Sequence, residues 1–245
     1  MEMFQILAVK DYLKSLLYQR KTKSKKILNN SINKGEAKSG CTSHLLSKLE
    51  GMMEQNDLIQ IREWERLKYY DPSTVLADLK RLDLLAAESS LPKIVKTLRR
   101  NDLKKYREGR DAALFCLGMT KVQGTTVFFA RLEAQDYDFV TLWQNGDEAI
   151  YTPVQLKEVV PESLNPKSNV NDTLAKLTKY SGSDRTVVAV RVNREIHLEL
   201  NSFQLPKMHL GGIWLYGAVG PDQQKWSIYG DLLKEPHLQE FEYPS

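Results

Sequence analysis

The chain is poor in the residues that build covalent and metal scaffolds. Its 245 residues include two cysteines, Cys41 and Cys116, far apart in sequence. No disulfide framework is implied, and a reducing compartment suits the chain. Cys41-x-x-His44 lacks a second ligand pair, which argues against a structural zinc site. No His-Glu-x-x-His and no serine nucleophile elbow occur. "GGIWLYGAVG", Gly211 to Gly220, lacks both the Gly-Lys-Ser/Thr ending of a phosphate loop and the glycine spacing of a dinucleotide site. No apolar run approaches the roughly 20 residues that span a membrane. The run Phe4 to Val9 is short, and Asp11 and Lys14 follow it, so no secretory signal is expected. There is no convincing internal repeat. The default expectation is a soluble cytoplasmic protein.

What is present is a core and an uneven charge. Hydrophobic residues make up 42% of the chain, enough for a packed interior. The net charge is +4, yet the first fifty residues carry ten Lys and Arg against four acids. "RKTKSKK", Arg20 to Lys26, concentrates it. A basic arm on a near-neutral body can hold a polyanion such as nucleic acid, or be a solvated extension. The length fits one large domain, or a smaller core with an extension.

Residues 1–20 look helical, and Asn29 to Ser43 reads as a linker with Gly35 and Gly40. Helical patterns return from His44 to about Arg66. Asp71-Pro72-Ser73 opens another helix that reaches Ala87. After the break at Leu91-Pro92, helical spacing runs from Ile94 to Met119, with Gly118 and Gly124 bracketing its end. "TTVFFARLEA", Thr125 to Ala134, is β-branched and aromatic, hence a strand. A hairpin follows over Tyr137 to Val160. Then comes a helix carrying Val170, Leu174, Leu177 and Tyr180. The apolar strand Arg185 to Val192 closes the series. The step from the hairpin through that helix is long enough for a right-handed crossover, so the two strands it joins are parallel. The fold class is α/β: a mixed central sheet flanked by helices, ordered helix, three strands, helix, strand. The expected domains are a basic, mainly helical extension at 1–94 and the α/β core at 95–245.

The hairpin "YDFVTLWQNGDEAIYTPVQLKEVV" carries an unusual polar set. Asn-Gly signals a type I′ turn. With Asn145-Gly146 as its two central residues, Gln144 faces Asp147 and Asp138 lies opposite Pro153. Gln155 and Lys157 then share Asp138's face, with Asp138 and Gln155 as diagonal neighbours. Phe139, Trp143, Val154 and Leu156 take the other face, suited to a core. A bulge at Pro153 would exchange the faces.

An aspartate on the second core strand, followed on the third by an acid or Gln, one apolar residue and Lys, resembles the restriction-endonuclease-like (PD-(D/E)XK) nuclease superfamily. The element order matches its core, over Leu103 to Val192. The resemblance implies roles residue by residue. Asp138 stands as the metal-binding aspartate, Gln155 where many members have Glu or Asp, and Lys157 as the catalytic lysine. Some members add a glutamate from the first helix. Glu108 is that candidate here, with Asp111 as the fallback. Tyr137 departs from the usual Pro, and Gln155 lacks a charge.

These implied roles fit phosphodiester hydrolysis, which needs an activated water and counter-charge for the phosphate oxygens. Mg²⁺, or Mn²⁺, is the implied cofactor, held by oxygen ligands from Asp138, Gln155, Glu108 and the Leu156 carbonyl. Lys157 would orient the water or stabilise the phosphate. Lys104, Lys105, Lys167, Lys176 and Lys179 would contact DNA phosphates, which position a substrate without reading sequence. The expectation is a metal-dependent deoxyribonuclease with DNA as partner and no membrane; a homodimer or larger complex stays open. The alternatives are an inactive nuclease-fold DNA-binding or assembly subunit, and a regulator that binds DNA through its basic N-terminal helices. His197, on an expected strand, reads as structural, and His209 has no support as a catalyst. Trp214, Tyr216, Trp226 and Tyr229 read as core.

Overall fold

A computed structural model describes residues 55–245, apart from 88–89, 91, 97, 133–136, 181–182, 198–202, 204 and 206. The basic arm, the Cys41/His44 pair and the expected linker lie outside the described residues, as does the end of the expected strand at 133–134. The chain forms two compact units that divide between Tyr69 and Tyr70. In the first, helix α1 (Gln55–Glu65) ends where the Leu67 N–H and the Tyr69 hydroxyl both donate to the Trp64 carbonyl, at 3.0 and 3.1 Å.

The second unit begins ahead of residue 95 and takes in α2 (Pro72–Ala87). Asp71 starts this helix by accepting the Thr74 N–H at 2.7 Å, and Pro72 occupies the first turn, where no N–H is needed. Next come α3 (Lys93–Lys96), a 3₁₀ turn (Asn101–Leu103) and α4 (Lys104–Gln123). The single helix expected over 94–119 is therefore broken. Leu98 has φ +56, a conformation no helix accepts, and α4 starts anew at Lys104. At the other end, α4 runs past Gly118 and stops at Gly124, whose φ of +69 suits a helix end. Gly118 lies inside the helix, where a larger residue would put a Cβ within 2.9 Å of the Phe241 ring and 3.1 Å of Ile228.

One mixed sheet of seven strands follows in sequence order: β1 (Phe128–Arg131), β2 (Phe139–Asn145), β3 (Glu148–Val159), β4 (Ser183–Val192), β5 (Leu210–Ala218), β6 (Lys225–Gly230) and β7 (His237–Glu242). Strands β3, β4 and β5 are mutually parallel, and every other neighbouring pair is antiparallel. Helix α5 (Val170–Ala175), extended by a 3₁₀ turn to Tyr180, makes the β3–β4 crossover. Asn169 caps it by accepting the Asp172 N–H at 2.8 Å. On one sheet face, α4 buries Ala112 to Leu117 against Phe139, Val154, Ala189, Tyr216, Trp226 and Phe241. On the other, Val170, Leu174 and Leu177 pack on Val159, Val188, Val190, Ile213 and Leu215. Each Val, Leu, Ile or Phe among them contributes about 1.5–3 kcal/mol when fully buried. Tyr216, Trp226 and Tyr229 are buried and Trp214 packs on the core, as their spacing suggested. His197 is exposed and outside any strand. Among the described residues, no helix is long and apolar enough to cross a membrane.

The hairpin differs from expectation in register but not in faces. Gly146 and Asp147 form the turn, and Asn145 pairs with Glu148. Gly146 has φ +61, whereas Asp147 is not among the positive-φ residues. That places glycine first, as in a type II′ turn, rather than second in a type I′ turn. Pairing therefore shifts by two residues, which preserves the side-chain alternation. Pro153 pairs with Val140 in an uninterrupted β2–β3 ladder, one residue before β3–β4 pairing begins at Val154. There β3 is flanked by β2 alone, the edge-like setting a proline tolerates.

Candidate functional site

Asp138 stands one residue ahead of β2, and its N–H donates to the Val154 carbonyl at 2.9 Å. The β2–β3 register, carried one step on, sets it opposite Gln155 rather than diagonal to it. Asp138 Oδ2 accepts the Leu156 N–H at 2.7 Å and also the Gln155 side-chain amide. The same amide donates to the Leu156 carbonyl at 3.3 Å. Hydrogen bonds thus link a carboxylate, a carboxamide and a main-chain carbonyl where the β2 ladder runs out. Gln155 is buried, and Asp138 is half-buried.

The charges around this point belong to the other expected residues. Burial pushes the Asp138 carboxyl above its ordinary range. The Leu156 N–H and the Lys157 ammonium pull it down, Glu108 pushes it up, and Lys104 pulls it down. Lys157 follows Gln155 on the same face of β3, paired with Val190. Glu108 is on the second turn of α4, a helix held against β1 and β3 by its apolar residues. Its carboxylate meets Lys104 Nζ at 3.1 Å and Arg131 Nη2 at 3.9 Å. Asp138, Gln155, Leu156 and Lys157 therefore gather at one point, with Glu108 and Lys104 near enough for their charges to act there.

Asp111 is committed elsewhere. It is buried and accepts from Arg191 Nη1, while the Arg191 guanidinium lies 5.7 Å from the Trp226 ring centroid. Lys105 lies over the Tyr106 ring, 5.0 Å from its centroid. Lys167 and Lys176 are exposed in the segment leading into and out of α5, and neither is among the charges that dominate at Asp138. The Lys179 side chain lies outside the described residues.

The sequence reading missed two features. Arg131 ends β1 opposite Phe139, next in sequence to Asp138, and extending the pairing pattern from the hairpin to β1 could have found it. Glu158 was also missed. Arg99 donates to it twice, at 3.0 and 2.5 Å, and Asn193 donates at 2.6 Å. Nothing in the local pattern points to residues 59 and 35 positions away.

Among the described residues, no group of three or more His, Cys, Asp and Glu side chains is arranged to hold a metal. The donors at Asp138 are of another kind: one carboxylate, one amide and one carbonyl. Hard oxygen donors with a single carboxylate suit Mg²⁺, which keeps several waters and takes further ligands from a substrate phosphate. The amide must present its oxygen to serve. Its two ends are nearly isosteric, so a half-turn exchanges donor for acceptor. Comparison of the chain with family models, with curated proteins and with solved structures found no match.

Proposed function

We propose that the chain is a metal-dependent nuclease that hydrolyses DNA phosphodiester bonds at the Asp138 site. One observation carries this reading: Asp138, Gln155, the Leu156 carbonyl and Lys157 gather at one point, under the charge of Glu108 from a separate element. Burial holds the Asp138 carboxyl above its ordinary range despite the Lys157 and Lys104 charges, a cost that a bound cation would offset. Asp138, the Gln155 amide oxygen and the Leu156 carbonyl would hold Mg²⁺ or Mn²⁺, with Glu108 as a further carboxylate. When bound, the ion lowers the pKa of a coordinated water and neutralises phosphate charge. Lys157 holds a compact positive charge beside the site, suited to orient the attacked phosphate and offset charge built up in the transition state. Lys104 and Arg131 extend the positive surface for the DNA backbone.

A second reading has specific support. Asp138 also caps the Leu156 N–H beyond the end of the ladder, Gln155 is neutral, and Glu108 is engaged by two cations. A DNA-binding subunit that retains the fold without cleaving would look the same in these respects. Metal separates the two. The nuclease cleaves DNA with Mg²⁺ or Mn²⁺, and both EDTA and Lys157→Ala stop it. A protein that binds DNA equally with EDTA and never cuts it is the subunit.

A further inference from the structure

Glu108 is the group at this site whose position is least explained by metal binding. Its carboxylate bridges Lys104 and Arg131, at 3.1 and 3.9 Å, one oxygen to each. The two cations come from different elements, the first turn of α4 and the end of β1. Lys104 and Lys105 open α4, where the helix dipole disfavours positive charge; the acid at this helix start is Asp102, in the 3₁₀ turn that leads into it. Folding gains little from that placement. Lys104 is 65% exposed, so its pair with Glu108 is weak and open to exchange. A guanidinium and an ammonium spaced by one carboxylate also match the oxygens of a phosphate, to which arginine can donate twice.

We propose that Lys104 and Arg131 form a phosphate subsite that Glu108 occupies in the free protein and that a nucleic-acid backbone phosphate takes over. The displaced Glu108 then becomes available to the cation held at Asp138, so substrate binding completes the metal site. Two carboxylates without a cation repel each other, and Lys104 and Arg131 hold one of them aside until both substrate and ion arrive. This rests on the proposed nuclease reading but adds a shared phosphate subsite, exchanged between Glu108 and the backbone, and an order of assembly. It also gives Lys104 a second task beyond general attraction to DNA.

The test uses the full chain and two readouts other than cleavage. In EDTA, a fluorescent DNA duplex is titrated by anisotropy. Glu108→Gln should tighten binding by up to about fivefold, the scale of an exposed ion pair. That gain should vanish when Lys104→Ala and Arg131→Ala are also present. An equal gain in both backgrounds would mean long-range charge alone and would overturn the subsite. Without DNA, Mn²⁺ is titrated calorimetrically. Lys104→Ala with Arg131→Ala should tighten Mn²⁺ binding when Glu108 is intact, and by less than half that factor alongside Glu108→Gln. Equal tightening, or none, would overturn the gate. Melting curves confirm that each variant is folded. Failure of the parent reading looks different: no variant binds Mn²⁺, and the anisotropy result stands by itself.

Discussion

Asp138 and Glu158 are half-buried carboxylates on opposite faces of one hairpin, yet their acidities move in opposite directions. Burial pushes both upward. At Glu158, hydrogen bonds from Arg99 and Asn193 outweigh that effect and hold the carboxyl below its ordinary range. At Asp138, a backbone N–H and a neutral amide do not, and nearby Glu108 adds repulsion. Burial alone therefore does not decide the outcome; the hydrogen bonds and charges set against it do. On the α4 side of β3, Arg99 with Glu158 and Arg191 with Asp111 are matched pairs that hold elements together. On the other side, the direct hydrogen-bond donors to the Asp138 carboxylate are an amide and a backbone N–H, neither of them charged.

The matched side should be the costlier to break. Arg191→Ala leaves Asp111 buried without its partner and should destabilise by about 3–5 kcal/mol in chemical unfolding. Next, Arg99→Ala removes both guanidinium hydrogen bonds to Glu158 and should cost about 2–3 kcal/mol. Because the folded-state pKa of Glu158 is depressed, its stabilisation is present above the ordinary carboxylate pKa and is lost as pH falls through the depressed one. The difference between wild type and Arg99→Ala should accordingly shrink in acid, measured by melting from neutral pH to about pH 3.

The unmatched side should respond less in stability and more in ligand. Gln155→Glu sets a second carboxylate against Asp138 and removes the amide donor. Without metal it should lose about 1–2 kcal/mol. With Mn²⁺ it should bind about tenfold more tightly, equivalent to about 1.4 kcal/mol. Calorimetry that shows no tightening would remove Gln155 from the ligand set. Smallest of all is the stability effect of Asp138→Asn, which keeps an acceptor for the Leu156 N–H. The folded-state pKa of Asp138 is raised, so wild type loses stability as pH climbs from about 3.9 through that raised value. Asp138→Asn escapes this loss. It should melt at or above the wild-type temperature at pH 7, and the advantage should fade below about pH 4.

Much of this geometry was legible in the sequence. Period-two alternation set the faces of β2 and β3, and a register error of two residues left those faces unchanged. The strand–helix–strand length gave the parallel β3–β4 pair. Turn type was misjudged because Asn145-Gly146 fits two registers, and the choice depends on which residue takes the positive φ. Strand β5 was not anticipated, since its glycines resemble a loop. Gly211 is required there because a Cβ would lie 2.7 Å from the Arg185 carbonyl oxygen of the neighbouring strand. The Arg99–Glu158–Asn193 cluster was invisible because its members come from three distant segments. Arg131 escaped notice because β1 was read as a strand without being placed in register.

The central claim is that Asp138 is retained for chemistry. It is tested most directly by incubating supercoiled and linear DNA with Mg²⁺ and either wild type or Asp138→Asn, with melting curves confirming that both are folded. Wild type should cleave, and Asp138→Asn should be slower by at least about a hundredfold while no less stable. Equal cleavage by the two proteins, or loss of cleavage only because the variant unfolds, would contradict the account.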